Sequence, residues 1–573
     1  MLGRWLTRPI LCLLLCLAGC STRADAAQDS GSFLQKSRTF HTPSEFRRLH
    51  AGRIRLERSA IWSPAQGQRL IGSRRGVVAR NRDGTLEPFP GDRMLPWSEV
   101  TAIAQEGPQV WWIATTRGVI RCDRTITPSR MEYFAGRRWL PDDRVSAIGF
   151  ESRTPPIAWI ETGAGFSRIE YRKMTLEEKA DFFQKRVRQR HLRHGLTAPS
   201  RLGATGDLAT SQTRSDDNDG LWTAMYVASE CFRFRVSGAA DARDNARQGM
   251  QALMRLEAIT GIAGFPARSF VRVGAEQRPA DGQWHSTPDR LWEWKGDTSS
   301  DEIVGHYLAY AVYYDLLADE NERGTIREIV ERITSHIVDN GYHLLDTDGR
   351  PTRWGWWAPE EIWVDADETG LRALHLLSHL RTASHITGNP KFQDHYERLV
   401  ARHRYALLVR NQKINVPGHV NHSDDELAFL SFYPLLLYET DAALRKVYVE
   451  ALERSWQIER PERSPLWNYI YAAGSGSPAF DGAEALATLR EIPLDLISWD
   501  VVNSHRLDIA RDRLPDRFER RQALAPLPFD ERPMMKWNGN PYALDGGNGG
   551  HSEDDGVFFL LPYWLGRYHG LLR

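Results

Sequence analysis

The sequence predicts a mainly α chain: an (α/α)6-like toroid of paired helices preceded by a small β-repeat domain of partial-propeller character. Three observations lead there. The 573 residues change texture near residue 174, from short apolar runs broken by Gly and Pro to long helical periodicity. The first part repeats itself. The second is long enough for about twelve helices at ordinary helix and loop lengths.

Each element follows from its own residues. Residues 1–20 read as a signal segment, with Arg4 and Arg8 ahead of an apolar run too short to span a bilayer. The run ends in Leu17-Ala18-Gly19-Cys20, which resembles a bacterial lipoprotein box; that resemblance implies a lipid on Cys20 and a body held at the periplasmic or outer-membrane surface of the cell envelope. Residues 21–49 read as a linker. In residues 50–172, Leu95-Pro-Trp-Ser-Glu-Val-Thr-Ala-Ile103 is matched by Leu140-Pro-Asp-Asp-Arg-Val-Ser-Ala-Ile148, and Trp112-Ile-Ala-Thr-Thr-Arg-Gly-Val119 by Trp159-Ile-Glu-Thr-Gly-Ala-Gly-Phe166. That period is the length of a four-stranded blade. About three units are present, fewer than a closed propeller needs, so this part must lean on its neighbour.

Residues 173–573 form the predicted toroid, with helices expected near 175–193, 220–237, 242–260, 301–318, 323–340, 364–386, 390–410, 423–440, 441–457 and 553–570. Gly at Thr260-Gly261 and Asn340-Gly341 marks helix ends.

Composition narrows the function. Seventy-four basic residues balance 74 acidic ones, so the excess positive charge of a nucleic-acid binder is missing. The 20 Trp exceed what a core needs, which points to a stacking surface. Outside the signal, Cys122 and Cys231 remain, and two buried free thiols are expected. No CxxC or HExxH spacing supports a metal centre.

Four segments share an acidic opening followed by an apolar run: Ser215 to Trp222, Asp297 to His306, Asn421 to Phe429, and His551 to Phe559. In a toroid the inner helices run parallel, so these openings would converge on one mouth. Ser299-x-x-Glu302 and Ser423-x-x-Glu426 have the spacing of capping boxes, which would occupy Glu302 and Glu426 structurally. Asp301 and Asp425 are surplus to the boxes. They are the expected acid pair, with Asp219 and His422 as helpers and Glu302 and Glu426 as the reserve. Paired carboxylates across a cavity are what glycoside hydrolysis needs, and crowding keeps one protonated. Trp222, Trp294, Trp356 and Trp357, with His306, Asn503, His505, Arg506 and Asp554, are the expected substrate-binding residues, since sugar faces stack on indole rings.

A β-rich module followed by a Trp-rich helical domain resembles carbohydrate-active enzymes of the (α/α)6 toroid type. The resemblance implies cleavage of a polysaccharide or oligosaccharide, with hydrolysis favoured. Toroidal lyases acting on uronic-acid glycans are the rival; Asn421, His422, Asn503 to Arg506, Tyr563 and Arg567 would supply their base and neutralising groups. Domain order favours hydrolysis, because toroidal lyases usually place the β-domain after the helices. A glycan-binding or sensing lipoprotein is the third reading. No cofactor is expected beyond Ca²⁺, which would suit clustered Asp oxygens although EF-hand spacing is absent. The expected partners are a glycan and, through the lipid, the membrane.

Overall fold

The computed structural model describes residues 31–50, 52–63, 68–90, 94–126, 130–533 and 536–573. The expected signal segment, with Cys20, lies outside the described residues. No helix among those described is long and apolar enough to cross a membrane.

Each repeat folds as an antiparallel sheet. The first holds β3 (Ile61–Trp62), β4 (Arg69–Ser73), β5 (Gly76–Arg80) and β6 (Leu86–Phe89). The second holds β7 (Val100–Gly107), β8 (Val110–Thr115), β9 (Gly118–Asp123) and β10 (Arg130–Phe134). The third runs β2 (Leu56–Glu57), β11 (Val145–Glu151), β12 (Ile157–Thr162), β13 (Gly165–Met174) and β1 (Phe33–His41). The earliest strand thus closes the last sheet, with Phe33 opposite Met174. The matched Trp112 and Trp159 are both buried, and each indole donates to a glutamate, Glu106 and Glu151.

Twelve helices of eight or more residues follow in the described remainder. They are α1 (Leu176–Arg190), α2 (Asp219–Ser237), α3 (Ala240–Ala258), α4 (Ser300–Leu316), α5 (Glu320–Asp339) and α6 (Thr369–Thr387). Then come α7 (Pro390–Ala401), α8 (His422–Tyr438), α9 (Ala442–Glu459), α10 (Pro465–Ser475), α11 (Gly482–Glu491) and α12 (Val557–Tyr568). The even-numbered helices pack in a closed circuit, α2 on α4, α4 on α6, α6 on α8, α8 on α10, α10 on α12 and α12 on α2. The odd-numbered helices pack outside them. Sequence explains the division. α4 and α8 are apolar all round, as a helix buried on every side must be; 12 of the 17 residues of α4 are buried. α5 and α7 bury one stripe each, Ile326, Ile329, Val330, Ile333 and Ile337 on α5.

The expectation of a mainly α class is overturned. Helix makes up 41% and strand 22%, so the chain is mixed α and β. Strand comes from the N-terminal sheets and also from the helix connections, where Ser269–Arg272, Trp284–Ser286 and Trp292–Lys295 form one sheet and His343–Leu345 pairs with Pro351–Trp356.

The β-rich part rests on the segment between α11 and α12. Lys36 meets Asp530 at 2.5 Å and Glu132 at 3.2 Å, Arg38 meets Asp495 at 2.8 Å, and the buried Arg138 donates to the carbonyls of Asp530 and Arg532.

Candidate functional site

The first turns of the even-numbered helices meet at one end of the circuit, and their acids share one electrostatic environment. Asp301 and Glu302 open α4, Glu368 precedes α6, Asp424 and Glu426 lie in the first turn or so of α8, and Asp554 and Asp555 precede α12. Three basic groups enter this mouth. Arg268 donates to Asn218 Oδ1 at 2.8 Å and pairs with Asp217 at the same distance. Arg372 pairs with Glu368 and stacks 3.4 Å from the centre of the Trp356 ring. Lys536 lies 3.8 Å from the centre of the Trp222 ring and 3.9 Å from Asp554 Oδ1.

Crowding and burial raise the carboxyls. Burial, then the fields of Glu368, Asp425 and Asp301, push the half-buried Asp424 up to about 8. Glu426 reaches about 8 through burial, with Asp301, Asp554 and Asp555 overcoming the opposing Lys536. Burial also raises Asp301, opposed by Arg268, and lifts Asp554 to about 6. Glu302 is held well above the ordinary range by burial against the first turn of α2. No group of three or more His, Cys, Asp or Glu side chains among the described residues is arranged to hold a metal ion.

Of the expected acid pair, Asp301 and Asp425 do not face each other. Asp301 is half-buried at the mouth, where Asn218 Nδ2 lies 3.4 Å away. Asp425 is turned outward into a buried ion pair with Lys413 at 2.5 Å, and Lys413 also meets Glu459 at 3.0 Å. The reason is helical rotation: consecutive residues point about 100° apart, so the next acid, Asp424, takes the mouth. Asp219 is likewise withdrawn. It is fully buried, held by Arg193 at 2.8 Å and by the Ser269 hydroxyl, although burial still lifts it to about 6. His422 lies beside the mouth, 3.7 Å from Asp425 and 3.6 Å from Glu462.

The capping boxes do not form. Ser299 is the N-cap residue of α4, but its hydroxyl donates to Asn218 Oδ1 at 3.1 Å instead of accepting from the helix. Asn421, not Ser423, precedes α8, and it too makes no side-chain cap. Glu302 and Glu426 are therefore not spent on capping.

Among the expected binding residues, Trp222, Trp356 and Asp554 reach the mouth. Trp294 and Trp357 are core residues, 3% and 0% exposed. His306 is completely buried, and its Nδ1 lies 2.9 Å from the Tyr310 hydroxyl. Asn503, His505 and Arg506 sit instead against the second sheet. Asn503 donates to the Glu531 carbonyl, His505 Nε2 lies 3.2 Å from the Tyr133 hydroxyl, and Arg506 pairs with Glu531 at 2.6 Å and Asp508 at 2.8 Å.

Sequence reasoning missed Asp424, Glu368, Arg268 and Lys536. Asp424 was legible as the other acid of the Ser423-Asp-Asp-Glu426 opening. Lys536 carries no local signal, because it reaches the mouth from the long connection before α12.

No family model matches this chain, and no curated protein matches it. Among solved structures, a sugar epimerase from a ruminal bacterium aligns over 67% of this chain and 98% of its own, at 11% identity and a TM-score of 0.35. A likeness of that size carries no functional argument.

Proposed function

We propose that this chain is a glycoside hydrolase that works at the mouth of the helix circuit, with Asp424 and Asp301 as its carboxyl pair. The observation that carries the reading is the half-buried Asp424 within the field of Asp301 and Glu368, raised to about 8. A carboxyl that stays protonated near neutral pH can protonate a leaving glycosidic oxygen. Asp301, whose rise Arg268 opposes, is the partner that activates water or attacks the sugar. Trp222 and the exposed Trp354 and Trp363 offer indole faces around the mouth and the α6 approach. Elimination is the weaker reading, because Asn503 and Arg506 are already engaged beside the β-rich part and do not line this mouth.

The test is a panel of neutral, amino and uronic glycans, read by release of reducing ends and by the ultraviolet absorbance of an unsaturated uronate. Asp424→Asn and Asp301→Asn should each cost about 10²–10⁴ in turnover, the usual worth of general acid–base help, and neither should lower thermal stability, because each removes a carboxyl whose ionisation the fold resists. Full activity in both variants, or absorbance without Asp424 dependence, removes the hydrolase reading.

Cell-envelope attachment through Cys20 rests on the Leu17-Ala18-Gly19-Cys20 box. Cys20→Ser should move the protein from the detergent phase to the aqueous phase on partitioning. An intact protein that already partitions into water refutes the anchor.

A further inference from the structure

The two ends of the stack of N-terminal sheets are treated differently. The tight turns align the three sheets: Ser73 is opposite Gly76, Thr115 opposite Gly118 and Thr162 opposite Gly165. Two residues from each turn the cross-strand pairs are Ile71 with Val78, Ile113 with Ile120, and Ile160 with Ser167. Two residues further they are Arg69 with Arg80, Trp111 with Cys122, and Ala158 with Ile169. These pairs share one face of each sheet, since strand side chains alternate. In the second and third sheets that face is buried against the preceding sheet. The opposite face of the third sheet is covered by the short helix Pro43–His50, whose Phe46 stacks on Phe166 and meets the edge of Trp159. In the first sheet the equivalent face is open. Ile61, Val78 and Leu86 are 42%, 36% and 62% exposed there, in register with Ile71 and Arg80. Arg69 and Arg80 are exposed too, as are Arg74 and Arg75 in the β4–β5 turn and Arg82 in the β5–β6 turn. None of these five guanidinium groups pairs with an acid among the described residues. Residues 51–90 hold eight Arg against three acids, in a chain whose charges otherwise balance. An end sheet facing only water needs polar residues. It has no use for bare aliphatic side chains, and two like charges directly opposite each other cost stability.

We propose that this open face docks the chain on an anionic lipid leaflet, with the five Arg meeting the headgroups and Ile61, Val78 and Leu86 entering the interface. Unpaired cations around aliphatic side chains are the chemistry of a peripheral membrane surface. An acidic glycan or a nucleic acid calls for aromatic rings beside the Arg, on which sugars and bases stack, and the ring of this sheet, Trp62, is turned the other way, edge-on to Trp111. A second copy of the same face would bring Arg against Arg. The assignment is independent of the hydrolase reading and of a lipid on Cys20.

The test uses the full chain carrying Cys20→Ser, so that no lipid on that cysteine contributes. Binding is measured by sedimentation with vesicles of phosphatidylcholine alone and of phosphatidylcholine mixed equally with phosphatidylglycerol. The mixed vesicles should bind at least about tenfold more tightly, and the difference should vanish at about 1 M NaCl, where the screening length falls to about 3 Å. An Arg at an anionic leaflet is worth about fivefold, so Arg69→Gln with Arg80→Gln should weaken binding to the mixed vesicles at least about tenfold. That variant should not lower Tm, because the two like charges stand opposite each other. Lys185→Gln with Lys446→Gln removes the same charge from exposed positions on α1 and α9 and should leave binding unchanged. Leu86→Ser should weaken binding severalfold without altering its salt dependence. Equal binding to both vesicles, a loss in the Lys variant as large as in the Arg variant, or full binding in both the Arg and the Leu86 variants overturns the assignment. Polygalacturonate bound as tightly as the mixed vesicles, with the same dependence on Arg69 and Arg80, would make the face a glycan site and overturn it too. So would a dimer in solution that Leu86→Ser dissolves.

Discussion

Glu426→Gln isolates the cost of crowding acids at the mouth. Glu426 is 1% exposed, and its carboxyl rises from the ordinary 4.5 to about 8. A raised carboxyl is neutral in the folded chain while its unfolded counterpart ionises. It therefore takes stability away as pH climbs from 4.5, and the loss levels off only above about 8. At about 1.4 kcal/mol per pH unit, the full loss approaches roughly 5 kcal/mol, of which about 3 kcal/mol is felt at pH 7. Gln cannot ionise, and its amide can donate to the neighbouring Asp554 and Asp555. The variant should therefore gain on the unsubstituted protein by roughly 3–4 kcal/mol between about pH 5 and pH 8. Urea midpoints at several pH values measure that gap directly, and comparing the two proteins cancels the titration of the groups that do not interact with Glu426. A gap that stays constant with pH, or narrows as pH rises, would refute the claim that Glu426 is held neutral in the fold.

Three further outcomes follow from the same geometry. Lys413→Met should destabilise the chain by about 3–5 kcal/mol, seen by urea unfolding, because Asp425 and Glu459 would be left buried without their cation; a loss below about 1 kcal/mol would mean that water already reaches them. In Gly220→Ala the new Cβ would collide with Glu302 Oε2, so the variant should lose about 1–3 kcal/mol, and a double-mutant cycle with Glu302→Ala should recover much of it; strictly additive losses would argue against that contact. If Asp424 is the general acid, activity should fall as pH rises through about 8, where the carboxyl gives up its proton. An alkaline limb that persists in Asp424→Asn would assign the proton to another group.

The sequence by itself determined the local features. The period of the N-terminal repeats is written in matched Trp and Gly positions, because a strand pair and its turn are decided within a few residues. The apolar character of α4 and α8 marks them as buried whatever surrounds them, and the acidic openings are visible as strings of Asp and Glu. The mixed class was not legible in the same way. Most strands in the helix connections run to only two to four residues, too short to show alternation, and they exist because the ring holds their partners close. The tertiary structure alone decided which acids face the mouth. Asp424 and Asp425 are indistinguishable as neighbours in a string. What separates them is about 100° of helical rotation and the arrival of Lys413 on one side and Glu368 on the other. Asp219 is withdrawn by Arg193, and the Ser299 hydroxyl is drawn from its cap by Asn218. Lys536 reaches the mouth from nearly a hundred residues past the end of α8. A buried charge takes its role from whichever partner is close enough to offset its desolvation, and the fold chooses that partner from anywhere along the chain.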